Sequence, residues 1–450
     1  MEIERVSLQE VDSAGGAVGI VKRLRQLAPS PASVAESARQ IVREVFDHRD
    51  EAVLRFTRMF DTAEAVPLPL VVPQDELDAA IQKLPLDVVA GLQVAIANVA
   101  QVAQVGVGED ESVTLPQGQQ VTLREVPVES AAVYVPGGRA PYPSTAVMGV
   151  VTARAAGVLN VVVCSPPNRD GQIDPAILGT CRLLGVERVY RMGGAQAIAA
   201  LAFGTATVDR VDVIVGPGNA YVQEAKREVA GVVGIDGFAG PSDLMVVFGE
   251  DADPNLVALD LLAQAEHGAA SVVLAVSASP RALNALAERI ESLSGEHPVK
   301  GLAPCMLVEL ADVRQGIDLA NVFAPEHLQL VGEEPESLAP LVCSAGCLLV
   351  GSTSATAFSD YVAGSNHILP TNGAARFASG LSPRHFRRRM SEVMVDPAGA
   401  SKLAAAGAPI ARAEGFEWHA RSMEARVAAP EEAPAARMSP ETPVGENPQP

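Results

Sequence analysis

The sequence predicts an α/β protein with two parallel-sheet domains and small helical segments at its ends. Two observations lead to this fold class. Short Val-rich runs that end in Gly or Pro alternate with helical stretches, and fully apolar strands of this kind belong to parallel sheets that are covered on both faces. In addition, a chain of 450 residues is too long for one typical core, so two or more domains are expected.

The elements follow in order along the chain. Residues 1–30 are expected to form a short N-terminal helical segment. From Pro31 to about Val105, apolar residues recur at three- and four-residue spacing, which predicts helices. The strand-bearing segments after them are AAVYVPGG, LNVVVCSPP, RVYRMGGAQAIAALAFG, RVDVIVGPGNAYVQEAKREVAG, LMVVFGE, SVVLAVS and CLLVGS.

These elements predict the domain boundaries. The first α/β domain is expected to combine 31–133 with 241–381, and the second to cover 134–240. A helical segment should follow at 382–427, and the tail at 428–450 is rich in Pro and Glu. Such a tail cannot bury enough apolar area to order itself, so disorder is expected there. Ligands of parallel sheets bind at the carboxyl ends of the strands, where the Gly-rich turns fall.

Composition excludes several classes of protein. The formal charge of −20 argues against a nucleic-acid partner, which needs a basic surface. The basic cluster at 384–389 is expected to be a solvated helix face. No membrane span is expected, because Arg154 and Asn160 interrupt the best apolar run. The N-terminus has no basic region followed by an apolar stretch, so no signal peptide is expected.

Five cysteines are present, and they form no zinc-ribbon or CxxC pattern. Cys343 and Cys347 have no partner pair elsewhere, so we expect buried thiols in a reducing cytoplasm.

Histidine is scarce, with seven residues in the chain, and four of them lie beside carboxylates or amides. In LLAQAEHG, Asp253 is a good N-cap for a helix over 254–267. Gln264 and His267 would then project from one face at its C-terminal end and could form half of a metal site. An exposed helix end with a histidine near the negative dipole would give the same pattern.

A second context, FAPEHL, places Glu326 beside His327 after a proline. Two bases of different strength in one loop suit proton abstraction and water activation. A solvated polar turn would have the same composition.

The remaining contexts are FSDYVAGSNHILPT and AEGFEWHARSMEAR. The first offers Asp360 as an oxygen ligand and His367 in a polar loop. The second holds Glu414 and His419, which lie about 140° apart on a regular helix and converge only if Glu414 precedes the helix. Gln264, His267, Asp360 and His419 together would offer two nitrogens and two oxygens. Such a set suits Zn²⁺ better than Ca²⁺ or Mg²⁺, and Mn²⁺ or Co²⁺ would also fit.

The dinucleotide fingerprint G-x-G-x-x-G is absent after every predicted strand. RMGGAQA and VGPGNA are strand–turn–helix junctions that could bring a helix N-terminus to a phosphate, or could be turns without a ligand. From the residues alone, the prediction is an α/β enzyme with a possible metal site.

Taken in order, eight segments resemble the histidinol dehydrogenase family, and the likeness runs from about residue 31 to about 427. The segments are VYVPGG (133–138), RMGGAQAIAALAFGT (191–205), GPGNAYVQEAK (216–226), AGPSD (239–243), LLAQAEHG, APEHL, the 360–371 loop and AEGFEWHA.

This resemblance implies two Rossmann-like domains arranged as in aldehyde dehydrogenases. It also implies zinc-dependent oxidation of L-histidinol through L-histidinal to L-histidine with two NAD⁺, the last step of histidine biosynthesis. The implied site residues are Gln264, His267, Asp360 and His419 for zinc; Glu326 and His327 for catalysis; Tyr134, Gln196 and Asn219 for NAD⁺; and Ser242, His327, His367 and Glu414 around the substrate, with the zinc ligands close by.

The resemblance further implies an intertwined homodimer in which the C-terminal segment is lent to the neighbour. Glu414 and His419 would then complete the partner's site. Two residues depart from the family pattern, Asp243 where Glu is usual and Pro383 in GLSPRHFRRR. Neither is an implied ligand.

Three other functions are compatible with parts of this pattern. A family paralogue could oxidise another small polyol such as a sulfopropanediol, but an anionic sulfonate would want Arg or Lys at the position of Glu414. A catalytically idle scaffold would not need every ligand and base position. A zinc hydrolase would not need Tyr134, Gln196 and Asn219.

Overall fold

The computed structural model describes residues 1–27, 34–63, 68–137 and 140–427. The tail that was expected to be disordered lies outside these residues. The chain divides into two compact units, the first made of Met1–Gly108 with Val126–Arg388 and the second of Glu109–Glu125 with Arg389–Pro450.

Strands and helices alternate through most of the first unit. The strands are β1 (Ile3–Val6), β2 (Glu111–Thr114), β3 (Gln120–Pro127), β4 (Ser130–Tyr134), β5 (Asn160–Ser165), β6 (Val189–Arg191), β7 (Val213–Val215), β8 (Gly234–Ile235), β9 (Asp243–Phe248), β10 (Val272–Ser277), β11 (Cys305–Glu309), β12 (His327–Val331), β13 (Cys347–Val350) and β14 (Arg387–Met394). The helices are α1 (Leu8–Ser13), α2 (Ala17–Leu27), α3 (Ala35–Phe60), α4 (Gln74–Ile81), α5 (Leu86–Val105), α6 (Pro143–Ala155), α7 (Pro175–Leu183), α8 (Gly194–Phe203), α9 (Ala220–Val229), α10 (Pro254–Ala265), α11 (Pro280–Glu296), α12 (Val313–Phe323), α13 (Glu333–Ser337), α14 (Thr356–Tyr361), α15 (Pro397–Ala413) and α16 (Glu417–Glu424).

One sheet of the first unit has six parallel strands in the order β1-β11-β10-β9-β12-β13. Every residue of β9 and β10 is buried, because helices cover both faces. Helices α2 and α12 pack on one face, and α10 and α11 pack on the other. The Val-rich composition of these strands follows from this double burial.

The other sheet has five parallel strands in the order β6-β5-β4-β7-β8. Its strands all fall between Ser130 and Ile235. Helices α3, α8 and α9 cover one face, and α4 to α7 lie on the other. The fold class is therefore confirmed: the chain is α/β with two parallel sheets.

Helices α3 to α5 pack where the sequence did not place them. The sequence led us to expect 31–133 in the domain of the six-stranded sheet. In the structure, α3 contacts α8 and α9, α4 contacts α7, and α5 contacts α6. The apolar face of α3 meets the Ala-rich α8, whose small residues allow close approach. Helical periodicity defines an apolar face but does not indicate which sheet covers it.

Helix α5 corrects the expectation about membrane spans. It has 20 residues with a mean hydropathy of 1.6 over its most apolar window, so by length and composition alone it could cross a membrane. Its buried residues Leu92, Ala95, Val99 and Ala103 recur every three or four positions. They form the side that joins the core of the five-stranded sheet.

The second unit differs from the helical segment expected after residue 382. A three-stranded sheet in the order β14-β3-β2 precedes α15 and α16. The basic cluster lies in a 3₁₀ turn at Pro383–Phe386 and in β14, so the prediction of a helix face was wrong. The basic cluster is too short to show a period, so its long charged side chains could not be distinguished from a helix face in the sequence.

The five cysteines are free. Three are buried, but Cys343 is exposed and Cys347 is half-buried, so the expectation of buried thiols at these two positions was wrong.

Candidate active site

Glu326 and His327 lie at the amino edge of the six-stranded sheet. His327 is the first residue of β12, and both side chains are buried, with exposed fractions of 6% and 3%. The expected polar loop is therefore wrong, because backbone pairing of β12 with β9 and β13 draws both residues into the core. These candidate residues thus lie at the amino ends of the strands, whereas the sequence led us to expect ligands at the carboxyl ends.

Two reciprocal hydrogen bonds hold Glu326 against Asp243, the first residue of β9. The backbone N–H of Glu326 donates to Asp243 Oδ1 at 2.5 Å, and the backbone N–H of Asp243 donates to Glu326 Oε2 at 3.1 Å. Burial raises the pKa of Glu326 to about 7 and that of Asp243 to about 6. Glu326 is thus poised to exchange a proton near neutral pH.

His327 has two ring nitrogens that lack a hydrogen-bond partner among the described residues. Its Nε2 lies 3.3 Å from Asp360 Oδ1, a contact that is close but not aligned as a hydrogen bond. Burial alone would lower the pKa of His327, but the carboxylates of Asp360, Glu326 and Asp243 outweigh it and raise that pKa. A buried imidazole with free nitrogens beside carboxylates is suited to accept a proton from a bound ligand.

His367 is held by the protein on both sides of its ring. Nδ1 lies 2.7 Å from the carbonyl oxygen of Asp360, and Nε2 lies 3.1 Å from Thr145 Oγ1. Burial lowers the pKa of His367, so the ring is neutral, with its proton on Nδ1, which donates to the carbonyl. Nε2 then accepts from the threonine hydroxyl.

Gln264 and His267 lie at the C-terminal end of α10, as predicted, although the helix ends at Ala265 rather than at 267. Asp253 caps its N-terminus by accepting from Asn255 N–H. The Gln264 side chain is buried, with both Oε1 and Nε2 unpaired among the described residues, whereas His267 is exposed. Burial of an amide without a hydrogen bond is costly, so such a position is typical of a site where an ion or a water completes the hydrogen bonds.

Helix α10 also packs against α14, which carries Asp360. Within the described part of the chain, no three His, Cys, Asp or Glu side chains converge closely enough to hold a metal ion by themselves. Gln264 is outside those residue types. The unpaired Gln264 amide and the adjacent oxygen and nitrogen donors of Asp360 and His267 are compatible with a zinc site that needs a further ligand.

Glu414 and His419 belong to the second unit. Glu414 caps the end of α15 and precedes α16, which carries His419, so the condition for their convergence is met. Both side chains are exposed. The first unit therefore carries three of the four predicted zinc ligands, and the second unit carries the fourth.

A cavity of about 570 Å³ opens beside Glu326. Ser242, Glu326 and His367 line it together with the turns after β7 and β8. The carboxyl edge of the five-stranded sheet thus faces the amino edge of the six-stranded sheet across this cavity. A volume of this size is typical of small-ligand pockets.

The three predicted NAD⁺ contacts line a second cavity, of about 790 Å³. The Tyr134 hydroxyl accepts from Gly194 N–H at 3.1 Å, at the N-terminus of α8. Asn219 caps α9 by accepting from Val222 N–H. Gln196 is buried. Two helix N-termini at the carboxyl edge of a parallel sheet form a suitable site for a pyrophosphate.

Asp61 lines the same cavity and was missed by the sequence analysis. It caps the C-terminus of α3, and its Oδ2 accepts from Gln196 Nε2 at 3.4 Å. Burial raises its pKa to about 7. Asp61 is identified as a candidate site residue by its position beside Gln196, because no local pattern distinguishes this carboxylate in the sequence.

A buried ion pair holds the turn after β7. Lys226 Nζ donates to the Gly216 carbonyl and to Asp236 Oδ1, both at 2.6 Å, and Asp236 Oδ2 accepts from Gly216 N–H. Gly216 has φ 115°, and a Cβ there would lie 2.1 Å from the Tyr134 carbonyl oxygen. Glycine is therefore required where this turn approaches β4.

Comparisons with known proteins agree with the sequence resemblance. The family described as histidinol dehydrogenase matches residues 25–427. A histidinol dehydrogenase of Synechococcus sp. is 41% identical over 396 residues, which cover 87% of this chain and 91% of the relative. One from Gluconobacter oxydans is 38% identical and covers 88% and 93%.

A crystal structure of histidinol dehydrogenase from Elizabethkingia anophelis has the same fold. The TM-score is 0.86 at 31% identity, and the match covers 94% of this chain and 98% of that chain.

Proposed function

Since the chain belongs to the histidinol dehydrogenase family and is thus an oxidoreductase acting on an alcohol and an aldehyde, we propose that it oxidises L-histidinol through L-histidinal to L-histidine. The oxidation consumes two NAD⁺ and requires one zinc ion per subunit. This is the last step of histidine biosynthesis, and we place it in the cytoplasm. The proposal is carried by the buried Gln264 amide and the buried His327 imidazole, neither of which has a hydrogen-bond partner among the described residues.

Gln264, His267 and Asp360 of one chain would hold the zinc ion, with His419 of a second copy as the fourth ligand. Bound zinc would supply a template for the imidazole and amine nitrogens of the substrate. Glu414 would accept a hydrogen bond from the other imidazole nitrogen. Ser242 and His367 line the adjacent cavity and would contact the rest of the substrate.

In the first oxidation, His327 takes the proton from the substrate hydroxyl through a free ring nitrogen. The hydride leaves the carbon that bears this hydroxyl and passes to NAD⁺. Histidinol thus becomes histidinal, with NADH and a proton as the other products. The raised pKa of His327 favours proton capture, and the buried position of the ring keeps water from competing.

In the second oxidation, Glu326 removes a proton from water as the water adds to the aldehyde carbon, and His327 gives the proton it took in the first oxidation to the aldehyde oxygen, which completes the diol. His327 then takes a proton from one hydroxyl of the diol as a second hydride leaves for NAD⁺, and the resulting acid loses a further proton to give the carboxylate. With a pKa of about 7, Glu326 is ionised in a large fraction of molecules at neutral pH and is basic enough to act on water.

Tyr134, Gln196 and Asn219 would bind NAD⁺ at the carboxyl edge of the five-stranded sheet. Bound NAD⁺ supplies the hydride acceptor. The N-terminus of α8 at Gly194 would meet the pyrophosphate, since backbone N–H groups there point towards an anion. We further propose that one domain carries the zinc and catalytic residues and that a second domain, at 134–240, carries the cofactor contacts.

A homodimer is proposed because the second unit exposes large apolar side chains. Trp418 is 78% exposed, and Ile410 and Phe416 are more than half exposed. Exposed apolar groups clustered around His419 indicate a surface that another chain covers. A second copy would bring Glu414 and His419 with that surface. Neither nucleic acid nor a membrane is a proposed partner.

The stoichiometry of NADH formation tests the proposal. The purified protein, with and without a zinc chelator, is given histidinol and excess NAD⁺, and absorbance follows NADH. We expect two NADH per histidinol consumed and loss of turnover with the chelator. Full turnover after rigorous zinc removal would contradict the zinc site, and NADH formation from a sulfopropanediol but not from histidinol would favour the paralogue.

Subunit mixing tests the shared site. His327→Ala and His419→Ala should each be inactive alone. If His419 serves the partner, mixed dimers contain one intact site, and random exchange should restore about a quarter of the wild-type activity. A mixture with no activity after proven exchange would show that each chain completes its own site.

A further inference from the structure

Arg25 on helix α2 reaches three separate segments behind the catalytic pair. Its Nη1 donates to Asn372 Oδ1 at 3.1 Å and lies 3.5 Å from Asp243 Oδ2. Its Nη2 donates to the Phe323 carbonyl at 2.5 Å, and the guanidinium lies 4.6 Å from the centre of the Phe323 ring. The planar fork of an arginine is needed to meet these acceptors together.

Asp243 connects this cation to Glu326. Its carboxylate is 1% exposed, and its two oxygens have different partners: Oδ1 accepts from Glu326 N–H and Oδ2 faces Arg25. A buried carboxylate without a cation would take up a proton. Arg25 therefore favours the charged form of Asp243, which is the form that accepts the Glu326 backbone N–H most strongly.

We propose that Arg25 is a positioning residue for Glu326: it keeps Asp243 charged and fixes the segments on which both carboxylates lie. This inference rests on the proposed role of Glu326 as the base in the aldehyde half-reaction. It assigns a task to the N-terminal segment, which the catalytic proposal left without one.

The charges around the pair define the expected sign. Arg25 stabilises the ionised form of Asp243, and His327 stabilises both ionised carboxylates, whereas the charges of Asp243 and Asp360 raise the pKa of Glu326. Burial lowers the pKa of Arg25, and the like charge of Arg376, in the 3₁₀ turn at Ala374–Arg376, lowers it further. Loss of Arg25 should make it harder to ionise Asp243, and loss of the Asp243 charge should make it easier to ionise Glu326.

The experiment compares four variants of the zinc-loaded protein: Arg25→Met, Arg25→Lys, Asp243→Asn and the control Arg23→Met. Arg23 lies on the same helix and pairs with Glu4 at the surface. Two measurements are made across pH: the rate of histidinal oxidation, and the carboxylate infrared band of Glu326, for which Glu326→Gln in each background serves as the blank. The infrared titration needs no turnover.

Arg25→Met should lower the pH midpoint of both curves, because Asp243 then takes up a proton and its charge no longer raises the pKa of Glu326. Asp243→Asn should lower the midpoint. Arg25→Lys should keep the midpoint near that of the wild type and lower the maximal rate, because lysine keeps the charge but not the fork. Arg23→Met should change neither.

An unmoved or raised midpoint in folded Arg25→Met would overturn the inference. If that variant does not fold, a midpoint in Asp243→Asn that fails to fall would overturn it instead. If the wild type makes no NADH from histidinol while the infrared midpoints shift as expected, the positioning role stands and the proposed function fails.

Discussion

Replacing Glu326 with Gln should separate the two half-reactions. The amide can still accept the Asp243 N–H through its oxygen, so the fold around β9 and β12 is kept, but it cannot take a proton from water. Loss of a general base costs about 10²–10⁴ in rate. We therefore expect histidinal oxidation to slow by at least about 100-fold at pH 8, whereas histidinol oxidation, which uses His327, slows much less.

The pH dependence of this loss follows from the pKa of Glu326. With a pKa of about 7, the carboxylate is ionised in about a tenth of molecules at pH 6 and about nine tenths at pH 8. The wild-type rate of aldehyde oxidation should fall accordingly on acidification, while Glu326→Gln has no such group to lose. The gap between wild type and variant should thus narrow by about tenfold between pH 8 and pH 6.

Stopped-flow absorbance of NADH, with histidinol and histidinal supplied separately, measures both rates. Glu334→Gln is the matched control, because Glu334 is an exposed carboxylate on the neighbouring α13. Equal slowing of the two half-reactions by Glu326→Gln would refute the division of labour. A gap that stays constant from pH 6 to pH 8 would refute the assignment of the titrating group.

Two further changes test other parts of the site. Gln264→Leu should weaken zinc binding by at least about tenfold in a metal titration. It should also raise the unfolding temperature of the zinc-free protein, because two unpaired buried polar atoms are removed. Unchanged zinc affinity would remove Gln264 from the ligand set. Asp61→Asn should stabilise the protein at pH 8 but not near pH 4. Burial raises the pKa of Asp61 in the folded state to about 7, so the wild type loses stability as the pH rises from about 4 to about 7. Equal unfolding temperatures of wild type and variant at pH 8 would contradict that cost.

The two sheets were predictable because their strands are short, apolar and separated by turns. Strands β4 and β9 are examples, and both lie in segments singled out from composition alone. β12 was missed because a proline and two polar residues, Pro325 to His327, stand where the strand begins and indicate a loop. Its strand character comes from β9 and β13 on either side, and local sequence carries no record of such neighbours.

The candidate site residues likewise divide into those that the local sequence marks and those that it does not. Gln264 and His267 could be placed on a helix end from spacing and a capping aspartate. Arg25 and Asp61 could not be found, because each acquires its role from a contact with a residue that is distant in the sequence. The burial of Glu326 is likewise a tertiary property, and its proton affinity follows from that burial.

The six-stranded sheet is assembled from both ends of the sequence, and this has a consequence for synthesis on the ribosome. Strand β1 pairs with β11, Ile3 opposite Cys305, whereas the five-stranded sheet is continuous from Ser130 to Ile235. At about 5–20 residues per second, roughly 15–60 seconds pass between the emergence of β1 and that of its neighbour. The five-stranded sheet can therefore form first, and strand β1 must wait without a partner. The carboxylate pair at 243 and 326, together with the guanidinium behind it, is then among the last parts of the nascent protein to be completed.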